Sequence, residues 1–130
     1  MCVLFLRYQN SNIFLGGASL ISSNMLITLA SALQRYQEPD QSCGVSNVNT
    51  DGIYVHCGST DLQAKVIDEN VQRRSIKKII IHPDYNSGAL INDLAILEVE
   101  SPFVLSDSIS PICLPEPGLQ TEVNVLNFIN

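Results

Sequence analysis

Short runs of β-branched, aliphatic and aromatic residues, separated by turn signals, occupy most of this 130-residue chain and constrain its fold more than any other feature. Gly, Asn, Ser, Asp and Pro gather between the runs, as they do between β-strands. No stretch has the spacing of an amphipathic helix, and only residues 30–36 hint at a helical turn. Runs this short and frequent predict an all-β closed barrel or sandwich, and the length permits one small barrel of about six strands. The runs are residues 3–8, 13–21, 25–30, 53–57, 64–68, 75–82 and 94–100.

The overall composition argues against several classes of partner. The chain is 45% hydrophobic, enough for a core, and its formal net charge is −6. Nucleic acids and anionic membranes select basic surfaces, so we expect neither as a partner. The basic residues gather mainly in residues 73–78, which we interpret as a solvated strand edge. The N-terminal apolar run is too short for the core of a signal peptide, and we expect Met1 to lie inside a longer parent chain.

The four cysteines are Cys2, Cys43, Cys57 and Cys113. No two of them have the close spacing of a zinc ribbon or a redox dithiol. An even number of widely spaced cysteines suits disulfides formed in an oxidising compartment. Four cysteines allow three complete pairings, and spacing alone does not choose among them.

Five local strings, in the same order along the chain, resemble segments of one known family. They are Gly-Ala-Ser-Leu-Ile at 17–21, Met-Leu-Ile-Thr-Leu-Ala-Ser-Ala at 25–32, Ile-Ile-Ile-His-Pro-Asp-Tyr-Asn at 79–86, Asn-Asp-Leu-Ala-Ile-Leu at 92–97 and Ser-Pro-Ile-Cys-Leu-Pro at 110–115. Together they resemble the N-terminal half of a chymotrypsin-like or trypsin-like serine protease domain. The run at 55–63 also resembles the insect clip-domain group of that family, which includes many non-catalytic homologues.

The resemblance implies a fold of two six-stranded antiparallel barrels with the active site between them. Residues 1–117 would form the first Greek-key barrel and the start of the interdomain linker. Residues 118–130 would be linker and the first strand of a truncated second barrel, so that the second barrel is missing from this chain.

The same resemblance locates the positions of the catalytic residues. The family's base is the histidine of a Thr-Ala-Ala-His-Cys string, and the matching residues here put Ser31 in its place. An imidazole accepts a proton near its pKa of about 6.5, whereas an alcohol does not. Asp93 aligns with the triad acid, and we expect it to accept hydrogen bonds from backbone N–H groups or from Ser31. No Gly-Asp-Ser-Gly nucleophile string follows Asp93, and residues 58–61, which resemble one superficially, precede it. We therefore expect no functional catalytic residue.

The resemblance also bears on the cysteines. Ala32 and Gly16 occupy the two half-cystine positions of a disulfide beside the family's base, so both ends of that bond are absent. Cys113 matches a half-cystine whose partner usually lies upstream of the protease domain. Cys43 and Cys57 flank a loop of 13 residues, and we predict that they pair with each other. Cys2 would then pair with Cys113 or remain free.

The two histidines, His56 and His82, are not expected to replace the missing base. His82 lies in the family's surface-loop pattern, and His56 lies within a predicted strand. They lack the i, i+4 spacing of a zinc-binding helix, so we predict no metal site, and no feature of the sequence predicts a cofactor.

Two hypotheses about function follow. The first is a secreted, non-catalytic protease homologue that binds proteins, such as proteases or zymogens of an extracellular proteolytic cascade. Its contacts would use exposed loops, above all residues 34–51. The alternative is a truncated or degenerate gene product with no function of its own. An active protease would require a histidine that the sequence does not supply.

Overall fold

The computed structural model of the chain describes residues 1–34, 50–59, 61 and 69–118. The predicted strand at 64–68, most of the predicted loop at 34–51 and the segment 119–130 lie outside the described residues. Within the described ranges, the one helix has five residues, and no helix is long and apolar enough to cross a membrane. The elements are β1 (Cys2–Tyr8), β2 (Ser11–Leu20), β3 (Met25–Thr28), α1 (Ala30–Gln34), β4 (Ile53–Cys57), β5 (Gln72–Ile81) and β6 (Ala95–Val99).

The six strands close into one antiparallel barrel. Their order around the barrel is β1–β2–β3–β6–β5–β4, and β4 pairs with β1 to complete the circle. The chain steps from β3 across to β4 and returns through β5, so that β6 lies beside β3; this is a Greek-key arrangement. The predicted all-β, six-stranded antiparallel barrel is confirmed.

The barrel is filled by the inward side of each strand. Side chains alternate between the two faces of a strand, and the burial of β6 follows that period. Leu4, Leu26, Val55 and Leu97 are each 0% exposed and come from four different strands. Burying an aliphatic side chain of this size contributes about 1.5–3 kcal/mol, which is large beside the net stability of about 5–15 kcal/mol that remains after conformational entropy is subtracted.

The basic run on β5 is largely solvated, as we interpreted it: Arg73, Lys77 and Lys78 are exposed, and Arg74 is half-buried. The Arg74 guanidinium donates hydrogen bonds of 3.2 Å to the carbonyls of Ser101 and Pro102, and it lies 5.2 Å from the centre of the Phe103 ring. Arg74 therefore anchors the segment that follows β6. On the same strand, Lys77 forms an ion pair with Glu98 at 3.6 Å.

The disulfide of the barrel joins Cys2 to Cys57, so the predicted pairing of Cys43 with Cys57 is wrong. The physical reason is strand register: Cys2 on β1 lies directly opposite Cys57 on β4, and both belong to the buried core. The alternative pairing of Cys2 with Cys113 is also excluded, since Cys113 is free and exposed. Cys43 lies outside the described residues.

Candidate functional site

The pairing of β3 with β6 brings the two predicted site residues together. Thr28, the last residue of β3, lies opposite Ala95, the first residue of β6. Ser31 follows Thr28 by three residues, and Asp93 precedes Ala95 by two. Because the strands are antiparallel, the exit of one and the entry of the other lie at the same end of the barrel. Residues 62 positions apart in sequence thus meet in space.

Asp93 holds Ser31 with both oxygens of its carboxylate. The Ser31 backbone N–H donates to Oδ1 at 2.7 Å, and the Ser31 hydroxyl donates to Oδ2 at 2.6 Å. Both side chains are half-buried. Hydrogen bonds to an ionised acceptor are shorter and stronger than those between neutral groups. Asp93 therefore ties the first turn of α1 to the start of β6, which is the role that we expected for it.

The turn before β6 directs the Asp93 side chain. Asn92 has a positive φ of 55°, and the Leu94 N–H donates to the Asn92 carbonyl at 2.8 Å. The Asn92 side-chain amide also donates to the Asp84 carbonyl at 3.1 Å. Asparagine tolerates the left-handed region better than most residues, which explains its place beside the acid.

Tyr85 is a neighbour of the site that sequence reasoning did not select. Its side chain packs against the core cluster, and burial, followed by the negative charge of Asp93, raises the pKa of the Tyr85 phenol. The available signal was its place within the string at 79–86, but that string does not reveal that the charge of Asp93 acts on the Tyr85 phenol.

A hollow of about 190 Å³ opens beside Ser31, between β2 and α1. A Cβ atom built on Gly16 would lie 3.6 Å from the Cβ of Ala32. The Cβ atoms of two disulfide-bonded cysteines are about 3.5–4.5 Å apart. Positions 16 and 32 therefore have the separation of a disulfide pair but carry no sulfur. Thr28 forms a link nearby, where its hydroxyl donates to the Gly17 carbonyl at 2.8 Å.

Neither histidine of the chain hydrogen-bonds to Asp93. His56 lies on β4 among the rings of Phe5 and Tyr54, with its Nε2 buried and unpaired. Burial, and then the positive charge of Arg73, lower the pKa of His56. The Nδ1 of His82 accepts a hydrogen bond from the Asp84 N–H at 3.0 Å within the loop before β6.

Side chains that could bind a metal ion are not gathered in the part of the chain that the structure describes. No group of three or more His, Cys, Asp or Glu side chains is placed there to hold an ion. The chemistry available beside Asp93 is therefore that of a carboxylate holding an alcohol and a backbone N–H.

A closed Greek-key barrel with an acidic residue just before its sixth strand is the arrangement that the resemblance to trypsin-like proteases led us to expect. The family described as Trypsin matches residues 2–128, and the chain belongs to that family. The resemblance inferred from the five strings is confirmed.

Curated relatives include both proteases and a protein whose name describes it as inactive. Human transmembrane protease serine 11A is 32% identical over 117 residues, which are 90% of this chain and 24% of that protein. A venom serine protease of Polistes dominula is 31% identical, over 85% of this chain and 35% of that protein. The inactive CLIP domain-containing serine protease A8 of Anopheles gambiae is 29% identical, over 80% of this chain and 25% of that protein. The chain thus spans about a quarter to a third of the length of these relatives.

Proposed function

We propose that this protein is a non-catalytic member of the trypsin family that acts by binding other proteins. The observation that carries the proposal is the hydrogen bond of 2.6 Å between the Ser31 hydroxyl and the Asp93 carboxylate. At the position of the triad acid, the carboxylate is occupied by an alcohol instead of an imidazole.

The chemical argument concerns proton transfer. In the Ser-His-Asp mechanism, the imidazole takes the proton of the nucleophile and later gives it to the leaving group. The Ser31 hydroxyl donates a hydrogen bond to Asp93, and an alcohol is not a base of suitable pKa. Loss of a triad member lowers the rate by about 10⁴- to 10⁶-fold. His56 and His82, which are the only histidines of the chain, are engaged elsewhere.

The partners that we propose are proteases or zymogens of an extracellular proteolytic cascade. The buried Cys2–Cys57 disulfide supports an oxidising compartment. The relatives also include mannan-binding lectin serine protease 1 of mouse and vitamin K-dependent protein C of mouse, rabbit and rat. The presence of an inactive protease among the relatives supports a role without catalysis.

The experiment that tests this proposal measures hydrolysis and binding on the same purified protein. Hydrolysis is followed with fluorogenic peptides that carry Arg, Phe or Ala before the cleaved bond. Binding is followed by biolayer interferometry against a panel of purified trypsin-family proteases and their zymogens. We expect no turnover above the buffer rate and saturable binding to at least one member of the panel.

Two variants separate this site from a contaminating protease. S31A and D93A each remove one partner of the hydrogen bond, and neither substitution alters the activity of a contaminating protease. Hydrolysis that disappears in D93A would show that the site is catalytic and would refute the proposal. Hydrolysis that is equal in all three proteins would be assigned to a contaminant. Absence of both hydrolysis and binding would refute the binding role and favour a degenerate gene product.

A further inference from the structure

The structure shows two regions of the barrel that are held by different kinds of bond. The seam between β1 and β4, which closes the barrel, carries the Cys2–Cys57 disulfide. The first turn of α1 also approaches β2, at Ala32 and Gly16, where a Cβ built on Gly16 would lie 3.6 Å from that of Ala32, and no covalent link joins them. We infer that the Asp93–Ser31 hydrogen bonds form a reversible latch, so that this turn opens locally while the barrel stays closed.

The packing around the turn favours local opening. The inner side of α1 is anchored, since Ala30 and Leu33 are buried in the core. The outer side has little cover: Leu29, the residue before α1, is 55% exposed, and the hollow of about 190 Å³ lies between Ser31 and Gly17. Atoms that line an open space lack partners on one side and lose that share of dispersion energy. Ser31, on the outer side of the turn, can therefore move away from Asp93 while Ala30 and Leu33 stay buried.

The latch depends on a single side chain. Both Ser31 hydrogen bonds go to the carboxylate of Asp93. Replacing this carboxylate with an amide removes one oxygen and the negative charge, and so weakens both hydrogen bonds at once. The seam, in contrast, is held by a ladder of five residue pairs, one of which also forms the disulfide. The two regions therefore respond to different substitutions. This latch would operate whether or not the protein is catalytic.

Native-state hydrogen exchange of the whole chain tests the latch directly, because the Ser31 N–H donates one of the two hydrogen bonds that form the latch. Amides that exchange through local opening depend weakly on denaturant, and amides that exchange through global unfolding depend on it steeply. In the unmodified protein we expect a shallow dependence for the Ser31 amide. A steep dependence is expected for the paired amides of β1 and β4.

Substitutions then assign the latch to its residues. D93N keeps the shape of the side chain, and we expect the Ser31 amide to exchange about tenfold to a hundredfold faster with the seam amides unchanged. S31A keeps the backbone donor and loses the hydroxyl bond, so a smaller acceleration is expected even if D93N folds poorly. D84N is the matched control, since it also removes one negative charge, from an exposed carboxyl group before β6. It should leave the exchange rate of the Ser31 amide unchanged.

Two outcomes would overturn the inference. In the first, the Ser31 amide and the seam amides share one denaturant dependence and accelerate together, which would make the turn part of the global unfolding unit. In the second, neither D93N nor S31A changes the exchange of the Ser31 amide, which would mean that the packing of Leu33 alone holds the turn.

Discussion

Removal of the Cys2–Cys57 disulfide should destabilise the barrel by a large share of its total stability. The bond joins residues 55 positions apart and lies at the seam where β4 meets β1. In the chain-entropy model, a cross-link that closes a loop of this length contributes about 4 kcal/mol at 25 °C. Small domains are stable by only about 5–15 kcal/mol in total. The variant C2A/C57A should therefore melt roughly 15 °C below the unmodified protein.

The assay is thermal and urea denaturation, followed by circular dichroism at neutral pH. C113A is the matched control: Cys113 is free and exposed, so its loss should change the free energy of unfolding by less than about 0.5 kcal/mol. A non-reducing peptide map of the unmodified protein should contain the peptide that joins Cys2 to Cys57. The reasoning is refuted if C2A/C57A unfolds within about 1 kcal/mol of the unmodified protein, or if the map links Cys57 to Cys43 instead.

Two further predictions concern titrating groups. S31H places an imidazole beside the Asp93 carboxylate, which should raise the pKa of the new ring above about 6.5; an NMR titration that shows an unshifted ring would contradict the assigned position. His56 has a lowered pKa in the folded state, so the unfolded chain binds its proton first, and the stability that His56 contributes should be present above about pH 6.5 and decline as the pH falls. R73Q should raise the pKa of His56 towards its ordinary value and weaken that pH dependence, and an unchanged pKa would rule out Arg73 as a cause.

The strands and the chemistry of the site were predictable from sequence because both are local properties. Runs of β-branched, aliphatic and aromatic residues between turn signals, at 3–8, 53–57 and 75–82, reveal strands without knowledge of their partners. The identity of residue 31 is equally local. A serine supplies an alcohol wherever the fold places it, so the absence of an imidazole there is decided by the sequence alone.

The pairing of distant groups was decided only by the tertiary structure. Register between strands places Cys2 opposite Cys57, and spacing along the chain had favoured the nearer Cys43. The same kind of long-range register brings Asp93 to Ser31, and Tyr85 was not recognised as their neighbour before the structure was known. Periodicity determines which face of a strand is buried, but which residue lies opposite depends on how separate strands align. That alignment is set by packing of the whole barrel, and no local pattern contains it.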